Sequence, residues 1–195
     1  MMKRVYIQTF GCQMNERDSE VMAGILQGEG YCLTRRIDQA DLIIFNTCSV
    51  RELAEQKLYS ALGRTKDYKR GNRRVLVGVA GCIAQQEGAR LLKRAPQVDL
   101  VIGTSNLRRL PSLVEEVSRS GGRAVEVEMD PEYHYYDLPS VRATRVRAWV
   151  NIMYGCDKAC TFCIVPHVRG EERSRPMEAI AEEVRGLAEQ GYREV

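Results

Sequence analysis

The strongest constraint on the fold of this chain is a rhythm, in which short runs rich in valine and isoleucine alternate with segments of helical periodicity. The runs are Arg4–Phe10 (RVYIQTF), 41–46 (DLIIFN), 75–80 (VLVGVA) and Leu100–Ile102 (LVI). Runs this short suit strands covered on both faces. Between them, Val21, Met22, Ile25 and Leu26 mark a short helix ending at Gly28 and Gly30. Ala54, Leu58, Ala61 and Leu62 repeat at helical spacing, as do Leu110, Leu113, Val114 and Val117. Pro111 fits a first turn, and Gly121 and Gly122 stop that helix. Strands alternating with helices predict an α/β fold with a parallel sheet. A last strand is expected at 125–128.

The character changes at 129–145, which is acidic and tyrosine-rich, then basic, and reads as a linker. A second module is expected from 146 onward. It opens on a strand pattern, WVNIM, followed by a loop at 154–175. A helix then starts near Pro176, with Ser174 as its cap and Ile180, Val184, Leu187 and Ala188 on its apolar face. One βα unit cannot bury its own faces, so the reading is a first domain over 1–128 and the truncated start of a second.

Composition bounds the class. The hydrophobic fraction is 44%, the charged fraction 28% and the net charge +3. That supplies a core and excludes a mostly disordered chain. The longest charge-free stretch, 75–86, is too short to span a bilayer, and the basic start lacks an apolar run of signal-peptide length. A cytoplasmic protein without membrane partners is expected. Seven cysteines among 195 residues are too sparse and too odd in number for a disulfide scaffold. In a reducing compartment they call for metal or redox chemistry.

Cys156, Cys160 and Cys163 stand in GCDKACTFC, a Cys-x3-Cys-x2-Cys spacing on a loop after a strand. Three thiolates this close can hold three corners of a cubane iron–sulfur cluster and leave one iron open to a small molecule. A zinc site with His167 as fourth ligand is the alternative, although zinc sites usually assemble from two separated pairs. Cys12, Cys48 and Cys82 each follow a predicted strand directly, in YIQTFGC, IIFNTC and LVGVAGC. In an open parallel sheet the carboxyl ends of the strands share one edge, where ligands bind. The three could therefore meet there, with Gly11 and Gly81 permitting tight turns; three isolated buried thiols are the alternative. Cys32, inside GYCLTR, reads as structural.

The Cys-x3-Cys-x-aromatic-Cys pattern resembles the signature of the radical S-adenosylmethionine (SAM) enzymes. That resemblance implies a 4Fe–4S cluster on Cys156, Cys160 and Cys163, SAM on its open iron, and Phe162 near the adenine. More broadly, FGCQMNERDSE (10–20), NTCSVRELAEQKL (46–58), VGVAGCIAQQEG (77–88) and NIMYGCDKACTFCIVPHVRGEERSRP (151–176) resemble the radical-SAM methylthiotransferases. QMN after Cys12 and SVRE after Cys48 look most like the MiaB type, which acts on tRNA carrying N6-isopentenyladenosine beside the anticodon. Sister types modify threonylcarbamoyladenosine in tRNA or an aspartate of a ribosomal protein.

The resemblance implies an auxiliary 4Fe–4S cluster on Cys12, Cys48 and Cys82 within an N-terminal methylthiotransferase domain. It also implies the first βα unit of a TIM-like radical-SAM barrel, two molecules of SAM per turnover, and an electron donor. Most of the barrel and the terminal RNA-binding domain of that family are not matched, so the isolated fragment is expected to be inactive. His167 stands where the family more often has tyrosine, which argues against a ligand role. A noncatalytic iron–sulfur or zinc module is the rival from a different class.

Other features carry weaker expectations. His134, among Tyr133, Tyr135 and Tyr136, reads as linker packing. The basic run 64–74 reads as a solvated helix end, with tRNA phosphates as the alternative. Arg142, Arg145 and Arg147 divide between interdomain pairing and RNA, and Arg169, Arg173 and Arg175 read as a salt-bridged loop with Glu171 and Glu172.

Overall fold

The computed structural model describes residues 2–70, 75–130 and 135–195. His134 and the segment 71–74 of the basic run lie outside them.

The expected alternation is realised as β1 (Arg4–Phe10), α1 (Gln13–Gly28), β2 (Cys32–Leu33), β3 (Leu42–Thr47), α2 (Glu52–Arg70) and β4 (Leu76–Gly81). It continues with α3 (Cys82–Glu87), α4 (Ala89–Arg94), β5 (Leu100–Ile102), α5 (Leu110–Ser120) and β6 (Ala124–Glu126). The six strands form one sheet in the order β2-β1-β3-β4-β5-β6, every neighbouring pair parallel. The order reverses direction between β1 and β3, because the chain runs outward to β2 and then returns to the other side of β1. That reversal is the switch point of a doubly wound sheet, the place where such sheets bind ligands.

Side chains alternate across the strands as the pleat requires. Leu42 and Ile44 pack with Val21, Met22 and Leu26 of α1 and with Leu110, Leu113 and Val114 of α5. Ile43 and Phe45, one residue out of step, pack on the opposite face with Leu58 and Leu62 of α2 and Leu91 of α4. The continuous apolar reading DLIIF thus reflects two buried faces.

Helix α1 begins eight residues before the first apolar position that marks it in the sequence. Its first turns carry Asn15, Arg17, Asp18 and Glu20, all buried. These polar residues hide the helix from a hydrophobic-periodicity reading, because they are buried against polar partners. Glycine has a specific duty in this helix. A Cβ on Gly24 would stand 2.5 Å from the backbone of Pro139 and Ser140, so the segment after β6 crosses α1 at a position only glycine permits.

The second region is sparser. It holds β7 (Met153–Tyr154), α6 (Val165–Arg169), β8 (Arg173–Ser174) and α7 (Met177–Glu189). The WVNIM segment is not one strand. Only its end pairs, β7 with β8 and antiparallel, while Ala148 donates to the carbonyl of Glu194 (2.9 Å) and Arg193 to that of Val146 (2.9 Å). Met153 and the carbonyl of Ile152 are thus tied to the segment 173–175, whereas the bonds to Arg193 and Glu194 belong to Val146 and Ala148, just before the run. Ser174 does not cap α7: it lies in β8, and Pro176 occupies the N-cap without a side-chain hydrogen bond. On the expected apolar face only Leu187 is fully buried.

Candidate functional site: two cysteine triads

The ladder register sets the first triad. Phe10 pairs with Thr47 and Thr47 with Gly81, so three neighbouring strands end level. Cys48 and Cys82 are the next residues after their strands, and Cys12 is the second after its own. Cys12 is the N-cap of α1, and Cys82 opens α3. Cys48 and Cys82 are buried and Cys12 is half-buried. The structure therefore brings together the three cysteines expected to share the sheet edge, at the β1/β3 switch point.

Beneath them lies a floor of two buried asparagines. Asn15 donates from Nδ2 to Oδ1 of Asn46 (3.1 Å), and Asn46 returns a bond from Nδ2 to the carbonyl of Asn15 (2.7 Å). The backbone N–H of Cys12 donates to Oδ1 of Asn15 (3.4 Å). Both flanking glycines are needed for this packing. A Cβ on Gly11 would stand 2.9 Å from Cγ of Asn15 and 3.0 Å from Cβ of Cys48. A Cβ on Gly81 would stand 2.7 Å from the carbonyl oxygen of Thr47, at a φ of +88° that disfavours any side chain. The asparagine floor escaped the sequence reading. Its signal is Asn46, a polar residue in an otherwise apolar strand.

The thiols are electrostatically coupled. A hydrogen bond from Cys48 lowers Cys12 to about 5, assisted by the backbone N–H groups of Asn15 and Met14 and by the charge of Arg169, against the opposing effect of burial. Amides at a helix start favour a thiolate in this way. Cys48 is pushed up, first by its hydrogen bond to Cys12 and then by burial. On either side of Cys48, the buried hydroxyls of Thr47 and Ser49 have no hydrogen-bond partner among the described residues. Three convergent thiols, close-approach glycines and unpartnered hydroxyls make a cradle suited to a sulfur-bridged iron cluster, whose sulfurs accept hydrogen bonds.

The second triad is placed by a local loop. Cys160 is exposed, whereas Cys156 and Cys163 are half-buried. The N–H of Cys163 donates to the carbonyl of Cys160 (3.0 Å), and the N–H of Cys156 to that of Gly170 (3.0 Å). A Cβ on Gly155, whose φ is +73°, would stand 2.6 Å from the carbonyl oxygen of Gly170. This glycine lets the loop close on itself. Phe162, between the cysteines, is 92% exposed. His167 lies exposed in α6. Among the described residues no group of three or more His, Cys, Asp or Glu side chains closes as a single-ion site. The three cysteines of the second triad are a donor set that suits the same kind of cluster as the first. Cys32 lies half-buried in the edge strand β2, apart from both triads in the sheet order.

The arginines sort themselves by partner. Arg142 bonds Glu20 (3.1 Å) and Glu183 (2.7 Å), and Arg175 also pairs with Glu183. Arg142 therefore ties α1 to α7, and Arg175 joins it on Glu183 from the α7 side. Arg147 lies over the ring of Trp149, 4.3 Å from its centroid. Arg169 pairs with Asp18, and Arg173 lies over Tyr154. The expected loop salt bridges of Arg169 and Arg175 to Glu171 and Glu172 are replaced by these longer-range partners. Within the basic run, Lys69 pairs with Asp99 and Arg70 with Asp67.

Residues 4–103 match the model of a family described as "Uncharacterized protein family UPF0004", and residues 150–195 match the radical SAM superfamily. A relative from Bacillus subtilis (strain 168) named tRNA-2-methylthio-N(6)-dimethylallyladenosine synthase is 49% identical over 195 residues, covering 99% of this chain and 38% of that protein. One of the same name from Ralstonia nicotianae is 52% identical over 196 residues, covering 100% of this chain and 43% of its own length. A third, from Staphylococcus haemolyticus, is 50% identical over 191 residues. The chain spans about two fifths of the length of the curated relatives it matches. The order of the two matched regions is that of the MiaB-type methylthiotransferases that the cysteine motifs resemble. With the first match covering the sheet and all three of its edge cysteines, the chain belongs to the UPF0004 family, followed by the opening of a radical SAM region.

Proposed function

We propose that the protein carrying this chain is a cytoplasmic tRNA methylthiotransferase that adds a methylthio group to C2 of N6-isopentenyladenosine beside the anticodon. The observation that carries this reading is the meeting of Cys12, Cys48 and Cys82 at the ends of three level parallel strands, in a chain that also holds a Cys-x3-Cys-x2-Cys loop. The proposed organisation is an auxiliary-cluster domain over 1–128, a linker over 129–145 and a radical-SAM module from 146 onward.

In this reading Cys12, Cys48 and Cys82 hold the auxiliary 4Fe–4S cluster. Cys156, Cys160 and Cys163 hold the second, leaving one iron free for the amine and carboxylate of SAM. When bound, these groups supply the one-electron cleavage of SAM and the sulfur to be transferred, chemistry that no side chain provides for an inert aromatic C–H. Phe162 offers its exposed ring to the adenine of SAM. Buried Cys48 and Cys82 keep water from the first triad, and half-buried Cys12 leaves it open on one side. An external electron donor and tRNA are the implied partners. No helix of the described residues is long and apolar enough to cross a membrane.

The test is nucleoside mass spectrometry of tRNA treated with the longer protein, SAM and a reductant. The expected result is a methylthio mass gain on N6-isopentenyladenosine. A gain on threonylcarbamoyladenosine, or on a ribosomal aspartate, reassigns the substrate to a sister enzyme. Bound metal without any SAM cleavage identifies a noncatalytic module instead.

A further inference from the structure

One buried charge links the two triads. Arg169 ends α6, six residues after Cys163, and is only 5% exposed. Its Nη1 donates to Oδ1 of Asp18 (3.2 Å) and its Nη2 to Oδ2 (2.6 Å). Nη1 also lies 3.4 Å from the hydroxyl of Tyr154, which donates to the carbonyl of Thr104 (2.9 Å). Asp18 sits on α1, the helix that Cys12 caps. The fork is therefore held on two sides by groups that cannot easily move.

A buried ion pair of this kind is at best weakly favourable compared with apolar packing, so its stability alone gives little reason for it. Its surroundings give a better one. Burial opposes the charge on Arg169, but Asp18, then Tyr154 and Cys82, outweigh that and hold the guanidinium firmly protonated. Helix α6 packs against α3, the helix that Cys82 opens, and Thr104, just past the end of β5, donates to the carbonyl of Val168 (2.5 Å), so Arg169 lies at the same carboxyl edge of the sheet as the first triad. Arg169 belongs by sequence to the second triad and by its packing, through Asp18 of α1 and the contact of α6 with α3, to the first.

We propose that Arg169 is a positioning residue for the first triad, a fixed positive charge held by Asp18 on the helix that Cys12 caps, which offsets the negative charge of a bound cluster and sets its reduction potential. The inference rests on the reading that the first triad holds such a cluster. Three thiolates on a 4Fe–4S core leave a net negative charge, and nearby charges shift its potential. A fixed cation makes reduction easier, and a fixed anion makes it harder. Removing Arg169 and removing Asp18 should then move the potential in opposite directions, which a merely structural role cannot do.

The experiment uses this chain with Cys156, Cys160 and Cys163 all changed to alanine, reconstituted without oxygen, so that the first triad is the iron site under study. Its midpoint potential is read by electron paramagnetic resonance during a redox titration. Arg169→Met is expected to lower it, Asp18→Asn to raise it, and Arg169→Lys to stay near the parent. Displacement of the Met and Asn variants in the same direction, or of neither, overturns the inference. If Arg169→Met does not fold, Asp18→Asn decides: an upward shift supports the inference and any other result overturns it. A parent chain that takes up no iron overturns the reading of the triad itself, and this inference with it.

Discussion

The two triads are built by opposite means. Cys12, Cys48 and Cys82 are far apart in sequence and meet because a sheet with both faces buried ends its strands level. Cys156, Cys160 and Cys163 are neighbours in sequence, and their loop rests on a few backbone bonds and two glycines at positive φ, Gly155 and Gly170. The first region has Leu58, Leu62 and Phe45 completely buried, whereas the second leaves Ile152 59% and Met177 76% exposed. A site made by long-range register inherits the stability of the whole sheet. A site made by a local loop inherits only that of the loop. The first should fail cooperatively with the fold, and the second independently of it.

The sharpest way to break this contrast is to remove core volume. Leu62→Ala, beneath the sheet, is expected to cost about 2–5 kcal/mol of stability, measured by urea unfolding of the metal-free chain. Ile152→Ala in the second region should cost under about 1 kcal/mol, because its side chain is already in water. Equal costs would erase the distinction.

Gly81→Ala is the next largest. Forcing a side chain to φ +88° against Thr47 and the asparagine floor should cost on the order of 1–3 kcal/mol and reduce iron uptake at the first triad. Iron at the second triad should be unaffected, as judged by Mössbauer spectra of the two populations. Gly24→Ala tests the crossing of Pro139 and Ser140 over α1. About 1–3 kcal/mol is expected from overpacking against Pro139 and Ser140, with both triads still able to bind iron.

The smallest effect is chemical. With Cys12 lowered to about 5, its thiol is ionised at neutral pH in the metal-free, reduced chain. Iodoacetamide should alkylate it ahead of Cys32 at pH 7. Its rate should fall only as the pH drops through about 5, followed by peptide mass spectrometry. A rate that still rises steeply from pH 7 to 9 would remove the coupling to Cys48.

Much of this was legible in the sequence because it depends on near neighbours or on pattern. The strands at Arg4–Phe10 and Leu100–Ile102 appear at the expected boundaries, since runs of branched residues bounded by glycine or polar positions have few alternatives. The meeting of the three distant cysteines followed from one rule about sheet edges. What stayed hidden is what depends on partners far along the chain. Asp18 and Arg169 are 151 residues apart, and neither position announces the other. Likewise, WVNIM reads as a strand by alternation, yet only Met153, its last residue, joins a strand, with a partner at Ser174 far along the chain, which pattern alone cannot indicate.

The central claim is that this chain holds two independent iron–sulfur sites, one of them built by the sheet. The most direct test is to purify it without oxygen, reconstitute it, and measure iron and acid-labile sulfide before and after changing Cys12, Cys48 and Cys82 to alanine. The account predicts about eight irons falling to about four, with the remaining four lost only when Cys156, Cys160 and Cys163 are also replaced. About four irons unmoved by the first change would contradict it.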